Sequence, residues 1–382
     1  MNDTRIVLIG AGGYGDTYVK ALLETRLRDN YVLCAVVDPF VKKAAGYEKL
    51  CAAGVEFYDT PEEFFASNKA DLAIVATPTL LREKHAMCVL ENGCNLLLEK
   101  PIGPTPEQGR RIAAKAEEKG LLLAIGFQWC YDYAMLDFKK DVDAGLFGKP
   151  LDLRSLVIWP RDFAYYTRGI GWAGKNYSKD GEPIFDSIAS NATAHYLENM
   201  LWLCGEEYNG AAITDMQVET WRANDIETYD TVTLTATLDC GAKIAYMVTH
   251  ATPFEKRQDP LFEYRFEKGV ARFEAKGAGG NIYFTFNDGA VKNYGFSYNG
   301  NQNKPWTVLD ALREGGSIPC PAETALKHAD AIAMMRKLQP EAHVFKNIQR
   351  NDERVWVDGL YDKMYRCFRE RIMLSETGVE KA

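Results

Sequence analysis

The sequence predicts an α/β fold, in which a doubly wound parallel sheet is followed by a second domain of the α+β class. Up to about residue 128, short apolar runs alternate with longer periodic segments, as in parallel strands joined by helices. Beyond residue 210, strand-like runs are separated by only a few turn residues, which requires antiparallel pairing. With 382 residues the chain is long enough for about two domains, which we place at 1–128 and 129–382.

The first strand, residues 6–9, runs into a glycine turn that is followed by a predicted helix over residues 16–25. In a GxGxxG turn one glycine allows the tight turn, one lets the backbone approach a pyrophosphate, and one lets helix and strand pack closely. The phosphates would lie on exposed N–H groups at the helix N-terminus. The candidate dinucleotide-binding residues of this turn are Gly10, Gly12, Gly13, Tyr14 and Gly15.

The second strand, residues 31–37, ends at Asp38, about 20 residues after the glycine turn, where this fold places an acid on the adenosine ribose. A carboxylate accepts hydrogen bonds from the 2′- and 3′-hydroxyls and repels a 2′-phosphate, so Asp38 favours NAD over NADP. Asp38 is alternatively the N-cap of a helix over residues 41–52. Both roles are compatible.

The remaining strands of this domain are predicted at residues 55–58, 72–75, 95–98 and 121–125. Ligands of such sheets bind at the carboxyl ends of the strands. Lys100, beside Pro101, is held toward that edge and could contact a nicotinamide ribose or a substrate oxygen; the alternative is a surface lysine paired with Glu99. Further candidate cofactor contacts follow the strand ends, namely Thr77, Pro78, Thr79, Glu99, Lys100 and Gln128.

Four motifs, in this order and spacing, resemble the glucose-fructose oxidoreductase / inositol 2-dehydrogenase (Gfo/Idh/MocA) family. They are the glycine turn, Ala76-Thr77-Pro78, Glu99-Lys100-Pro101 and Gly126-Phe127, and the Glu-Lys-Pro tripeptide discriminates best. The resemblance implies a Rossmann domain and NAD(P)-dependent oxidation or reduction of a sugar or polyol carbon. It also implies a second domain with an open, mainly antiparallel sheet, a C-terminal helix packed back on the first domain, and a homodimer or homotetramer assembled through that sheet.

A helix predicted over residues 187–203 carries Asn191 and His195, which share a face at this spacing. In the resembled family an Asp and a His often stand in this relation, and the His is the acid/base for the reacting hydroxyl. Here Asn191 occupies the Asp position, so it can orient an imidazole but cannot support its charged form. Three further positions depart from the family pattern, namely Thr79, Arg82 and Cys130.

The second half is predicted to begin with a connecting helix over residues 131–146 and a strand over 151–158. Six further strands follow, at 216–222, 231–238, 243–250, 261–267, 271–275 and 282–286. Two helices are predicted after them, at 322–338 and 353–371. His85, His250, His328 and His343 are interpreted as structural residues.

The irregular segment 159–177 is rich in aromatic side chains and cations. Aromatic faces stack on sugar rings while cations bind hydroxyls or a carboxylate, so we interpret it as a substrate lid. A packing or subunit contact is the alternative. The candidate substrate contacts are Tyr131, Arg168 and Trp172.

Composition excludes several classes of function. The net charge of −8 argues against nucleic acid as a partner, because a phosphate backbone is bound by a basic surface. No apolar run approaches the roughly 20 residues needed to span a bilayer, and no signal-peptide pattern is visible, so we expect a cytoplasmic protein with no membrane partner. The nine cysteines show no ligand spacing, and we expect no metal site.

These observations lead to the hypothesis of an NAD-dependent oxidoreductase acting on a sugar, inositol or related polyol. Lys100 would have the electrostatic and orienting role, His195 would transfer the proton, and Asn191 would fix the substrate or the imidazole. One alternative is an enzyme that retains and recycles NAD, as in epimerisation, glycosidic cleavage or sugar–sugar oxidoreduction. Another is a non-catalytic NAD-binding sensor or assembly subunit.

Overall fold

The computed structural model describes residues 3–168, 171–276, 279–297 and 300–382, except for the side chains of residues 300–302. The chain forms two compact units. The first comprises Met1–Tyr131 together with Asn299–Leu326, and the second comprises Asp132–Tyr298 together with Lys327–Ala382. The predicted boundary at residue 128 placed all later residues, including 299–326, in the second domain, whereas residues 299–326 group with the first unit.

The first unit is built on a six-stranded sheet of order β3-β2-β1-β4-β5-β6, in which every neighbouring pair is parallel. This order reverses between β1 and β4, and it confirms the predicted doubly wound sheet. The strands are β1 Thr4–Ile9, β2 Tyr31–Val37, β3 Glu56–Tyr58, β4 Leu72–Val75, β5 Asn95–Leu98 and β6 Leu123–Ile125.

Helices connect these strands, so the central strands are buried and apolar throughout. All four residues of β4 are fully buried. Local sequence explains both ends of the helix Pro106–Lys119. The Thr105 hydroxyl caps its first turn, Pro106 is its first residue, and Gly120 terminates it with φ +63°. The helices are α1 Gly15–Lys20, α2 Tyr47–Ala52, α3 Pro61–Ser67, α4 Arg82–Glu91 and α5 Pro106–Lys119.

The helix predicted over residues 41–52 is interrupted. A 3₁₀ turn, Val41–Lys43, precedes α2, and Gly46 lies between them. A Cβ atom on Gly46 would come within 2.6 Å of Val19 Cγ1, so the close approach to α1 requires glycine there.

The second unit contains a nine-stranded sheet of order β14-β13-β12-β11-β7-β10-β9-β8-β15. Only the β7–β10 and β8–β15 pairs among these are parallel, so the predicted mainly antiparallel sheet is confirmed. Strands β14 and β15 were not predicted. The strands are β7 Pro150–Ile158, β8 Ile213–Arg222, β9 Thr231–Leu238, β10 Lys243–Thr249, β11 Gln258–Phe266, β12 Gly269–Glu274, β13 Gly280–Phe286, β14 Val291–Ser297 and β15 His343–Val344, and β16 Ile348–Arg350 with β17 Val355–Val357 forms a separate ribbon.

The described part of the chain contains six more α-helices: α6 Tyr133–Asp143, α7 Phe163–Thr167, α8 Ala194–Cys204, α9 Gly300–Glu314, α10 Ala322–Leu338 and α11 Leu360–Glu370. Helix α11 packs Leu360 and Met364 against Leu156 and Met247 of the second sheet. Helix α9, which the sequence pattern did not predict, groups instead with the first unit, where Trp306 packs against Tyr31 with ring centroids 5.3 Å apart.

Within the described ranges, no helix combines the length and the apolar character needed to cross a membrane.

Candidate active site

The glycine turn after β1 has the geometry that a pyrophosphate requires. Gly10 adopts φ +91°, and a Cβ on Gly15 would lie 2.1 Å from the Gly10 carbonyl oxygen, so neither position accepts another residue without a shift. On the outer side of the turn the space is open, because a Cβ on Gly13 would meet no atom within 4 Å. Gly12 and Gly13 are exposed, and their backbone can therefore approach a phosphate.

Asp38 lies beside this turn at the end of β2. Its Oδ2 accepts hydrogen bonds from the backbone N–H groups of Ala11, at 2.9 Å, and Gly12, at 3.3 Å. Its Oδ1 accepts from Phe40 N–H at 2.8 Å, which forms an Asx turn. The helical turn that follows begins after Phe40 and has no side-chain cap, so the alternative interpretation of Asp38 as a helix N-cap was wrong. The carboxylate is thus held at the glycine turn, and its contact with a ribose stays a prediction.

The loops after β4 and β5 are joined by Arg82, which is buried. Its Nε donates to the Thr77 carbonyl at 3.2 Å and its Nη1 to the Pro101 carbonyl at 2.7 Å. The Thr77 hydroxyl is 3.1 Å from His85 Nδ1, and burial lowers the pKa of His85 to about 4, so this ring is neutral at physiological pH. The family departure at Arg82 therefore has a structural role, since it connects two loops of predicted cofactor contacts.

A buried ion pair between Glu99 and Lys304 of α9 underlies the Glu-Lys-Pro turn. Lys304 Nζ also donates to the Tyr14 hydroxyl at 3.1 Å and to the Gly126 carbonyl at 3.2 Å. The Tyr18 hydroxyl donates to Glu99 Oε1 at 2.6 Å. We call these residues, Tyr14, Tyr18, Glu99, Gly126 and Lys304, the Glu99 brace.

Opposing effects set the charge states in the Glu99 brace. Burial alone would raise the pKa of Glu99, but Lys304 and the hydrogen bonds from Lys304 and Tyr18 outweigh burial and hold the pKa below its ordinary value. Burial would lower the pKa of Lys304, whereas Glu99 and Tyr14 together raise it above its ordinary value. The pair is therefore ionised, and its position fixes the backbone that carries Lys100, whose N–H donates to Glu99 Oε2 at 3.2 Å.

Lys304 was missed by sequence reasoning. It lies 205 positions from Glu99, in a segment whose apolar pattern gave no helix, so no local signal marked it. Glu99 is 4% exposed and its carboxylate is bound within the brace, and its contact with a cofactor stays a prediction.

The predicted helix over residues 187–203 consists of two pieces. A π-helical turn, Ile188–Ala192, carries Asn191, and α8 carries His195. Thr193 lies between them with φ −114° and ψ 12°, and both its N–H and its hydroxyl donate to the Ile188 carbonyl, at 2.9 and 2.7 Å. The prediction of one continuous α-helix was therefore wrong, and helical spacing does not place Asn191 and His195 on one face.

The side chain of Asn191 is held by Asp186, because its Nδ2 donates to Asp186 Oδ1 at 2.9 Å. Asp186 Oδ2 accepts from the Gly174 N–H at 2.8 Å. His195 is buried at the start of α8. The roles of Asn191 and His195 in a reaction stay predictions.

Two other candidates lie in the 3₁₀ turn Gln128–Tyr131 of the first unit. Gln128 is half-buried. Tyr131 is fully buried, and its hydroxyl donates to the Ile125 carbonyl at 3.0 Å. The contact of Tyr131 with a substrate stays a prediction.

In the aromatic segment 159–177, the arginines stack on aromatic rings of the same segment. Arg168 Cζ lies 3.6 Å from the ring centroid of Tyr165 and 4.8 Å from that of Trp172. Arg161 Cζ lies 4.7 Å from the Tyr165 centroid. The segment contains the short helix α7, capped by Asp162, and its residues 169 and 170 lie outside the described residues.

Comparison with known proteins identifies the first unit. Residues 4–127 match the family model described as "Oxidoreductase family, NAD-binding Rossmann fold" (GFO_IDH_MocA). Over these residues the chain is similar to the Gfo/Idh/MocA family. The match ends at the residues that follow β6, so it covers the glycine turn, Asp38 and the Glu-Lys-Pro turn.

Curated relatives resemble this chain over part of their length. The rhizopine catabolism protein MocA of Rhizobium meliloti is 28% identical over 207 residues, which cover 54% of this chain and 59% of that protein. The scyllo-inositol 2-dehydrogenase (NAD⁺) of Bacillus subtilis is 28% identical over 174 residues, covering 44% of this chain and 50% of that protein. The chain thus aligns with about half the length of these relatives.

The structural similarity to solved proteins covers more of the chain than the sequence similarity to the curated relatives does. The WlbA dehydrogenase of Bordetella pertussis, crystallised with NADH and UDP-GlcNAcA, superposes with a TM-score of 0.71 at 21% identity. The superposition covers 88% of this chain and 96% of that one. The likeness therefore includes the second, mainly antiparallel sheet.

Proposed function

We propose that this protein is an NAD-dependent oxidoreductase that transfers hydride between the nicotinamide and a carbinol carbon of a sugar, inositol or related polyol. One observation carries the proposal: Lys100 stands on a turn fixed by the Glu99 brace, at the sheet edge where the glycine turn and Asp38 also lie. The family match and the inositol dehydrogenase among the relatives support it.

Bound NAD supplies the hydride-accepting carbon of this chemistry. The backbone of Gly12 and Gly13 binds the pyrophosphate, and Asp38 binds the adenosine ribose. Lys100 donates to the reacting oxygen and stabilises the negative charge that develops on it. His195 takes the hydroxyl proton during oxidation and returns it during reduction, a task that imidazole performs near neutral pH. Asn191 positions the substrate or the imidazole.

The proposal is tested by incubating the purified protein with NAD and a panel of sugars, inositols and sugar acids. We expect the absorbance of NADH to rise with at least one compound. Conversion of a compound without net NADH would favour the retained-cofactor alternative. Binding of NAD without conversion of any compound would favour the sensor or assembly subunit.

Replacing Asp38 by alanine is expected to raise the ratio of kcat/KM with NADP to that with NAD by about 10- to 100-fold, since hydrogen bonds to a charged group are worth about 1.5–3 kcal/mol. The variant loses two ribose acceptors and the repulsion of a 2′-phosphate. The measurement is steady-state kinetics with both cofactors. Asp29→Ala, at a side chain that is 93% exposed, is the matched control and should leave the ratio unchanged. An unchanged ratio in Asp38→Ala would remove Asp38 from cofactor recognition.

Two further expectations, on oligomeric state and cellular location, belong to this proposal. We expect a homodimer or homotetramer assembled through the second sheet, and a cytoplasmic location. Light scattering of the purified protein measures the first of these.

A further inference from the structure

Arg161 and Arg168 of the aromatic segment form no ion pair within the described part of the chain. Arg168 Nη1 donates to the Tyr165 carbonyl at 2.9 Å, and Arg161 donates no side-chain hydrogen bond to a described residue. Both guanidinium groups lie over the ring of Tyr165. We call Arg161, Tyr165, Tyr166, Arg168 and His250 the basic cluster, all of which belong to the second unit.

Two carboxylates act electrostatically on the tyrosines of the basic cluster, and both accept hydrogen bonds from other residues. Asp230 Oδ2 accepts from Ala223 N–H at 3.0 Å, and from the N–H and Nδ2 of Asn224 at 2.9 and 2.8 Å. Asp186 accepts from Gly174 and Asn191. Both guanidinium groups lie over Tyr165, and neither arginine forms an ion pair with a described residue.

Buried polar atoms in the same cluster also lack a hydrogen-bond partner among the described residues. His250 is 1% exposed, and its Nδ1 is 2.7 Å from the Trp159 carbonyl, which can only accept. The proton therefore lies on Nδ1, and Nε2 is an unpartnered acceptor. Burial, and after it the charge of Arg161, lower the pKa of His250 far below its ordinary value, so the ring stays neutral. The Tyr166 hydroxyl is likewise buried and unpartnered.

Unsatisfied buried acceptors beside two unpaired guanidinium groups indicate a ligand that brings both an anion and a hydroxyl donor. A guanidinium group binds either a carboxylate or a phosphate in a bidentate manner. A phosphate site commonly uses free backbone N–H groups, but the N–H groups of Trp159, Arg161 and Tyr165 already donate within the protein. The chemistry of the basic cluster therefore favours a hydroxylated carboxylic acid.

We propose that Arg161 and Arg168 bind the carboxylate of the substrate, that His250 accepts from a neighbouring substrate hydroxyl, and hence that the substrate is a sugar acid. This inference rests on the proposed function and narrows its substrate class from polyols in general to those bearing an acid.

The test compares each acid with its neutral counterpart: D-glucuronate with D-glucose, and D-galacturonate with D-galactose. D-glucose 6-phosphate provides the phosphate arm. Two readouts are used, kcat/KM for NADH formation and the shift of the thermal midpoint of the cofactor-free protein. We expect the wild-type protein to prefer the acids by at least about 10-fold, and Arg161→Gln and Arg168→Gln each to reduce that preference by about 10- to 100-fold.

Arg350→Gln is the matched control, because Arg350 is exposed and stacks over Phe163 with Cζ 4.9 Å from the ring centroid. It should leave the preference unchanged. His250→Phe keeps a ring but removes the acceptor, and it should weaken uronate binding by about 10-fold. It also removes the donor to the Trp159 carbonyl, so the thermal midpoint of the free protein should fall, and uronate binding is measured as the shift from the variant's own midpoint. Unweakened uronate binding would overturn the role of His250.

The carboxylate subsite is overturned if wild-type protein treats acid and neutral sugar alike, if the arginine variants lose both equally, or if D-glucose 6-phosphate exceeds D-glucuronate. Failure of the proposed function has a different signature: uronates shift the thermal midpoint in an arginine-dependent way, yet no compound yields NADH or is converted.

Discussion

Lys100→Met is expected to lower kcat by about 100-fold or more while NAD binding stays close to that of the wild-type protein. Removing one charged donor from a reacting oxygen typically costs this much, because the donor is already in place when the negative charge develops. Methionine keeps the length of the side chain and loses the charge. The measurement is steady-state kinetics on a substrate found in the panel, with NAD affinity determined separately by fluorescence titration.

Lys69→Met is the control for this variant, because Lys69 is exposed and precedes β4 at the amino ends of the strands, away from the edge that carries Lys100. Its kcat should be that of wild type. If Lys100→Met turns over at the wild-type rate, Lys100 has no part in the reaction. If it loses NAD binding instead, its role is in holding the cofactor.

Lys304→Met is expected to destabilise the protein by about 3–5 kcal/mol, because it leaves Glu99 as an uncompensated charge in a buried site. The variant also removes the donor to the Gly126 carbonyl and loosens the turn that carries Lys100. Urea denaturation measures the loss of stability, and hydrogen exchange of the amides at residues 98–100 and 126 measures the local loosening.

The paired variant Glu99→Gln/Lys304→Met should recover part of this loss, because no buried charge then remains unpaired. Lys115→Met removes a partner from a more exposed ion pair, that of Lys115 with Glu118, and should change stability by less than about 1 kcal/mol. A loss in Lys304→Met no larger than that in Lys115→Met would contradict the brace.

The contribution of the Glu99 brace also has a defined pH dependence. The pKa of Glu99 is held below its ordinary value, so its stabilising contribution is present above the pKa of the unfolded chain and is lost as pH falls through the folded-state pKa. The difference in stability between wild type and Lys304→Met should therefore shrink in acid.

Local sequence was sufficient for much of the first unit. Its strand positions follow from apolar runs, and Gly10 and Gly15 follow from a spacing that only backbone without a Cβ can satisfy. Asp38 was predictable because the acid follows directly from the end of β2. The mainly antiparallel second sheet was predictable because short turns allow no other pairing.

Other features depended on contacts between distant parts of the chain. The break at Thr193 was hidden because residues 187–203 have a helical apolar pattern, while the hydroxyl of Thr193 bonds both to Ile188 and to Tyr246 of β10. Helix α9 was missed because it includes Pro305 and because its apolar residues pack on strands more than two hundred positions away, as Trp306 does on Tyr31.

The sequence by itself therefore determined the glycine turn, Asp38 and the position of Lys100, since each depends on backbone geometry within a few residues of a strand end. Only the tertiary structure decided what holds Lys100 in place and what surrounds Arg161 and Arg168. Lys304 pairs with Glu99 across 205 positions, and His250 meets Trp159 across 91. These partners are adjacent only in the folded chain, and they pair because an unpaired buried charge or polar atom costs free energy. A local sequence pattern contains no information about such long-range contacts.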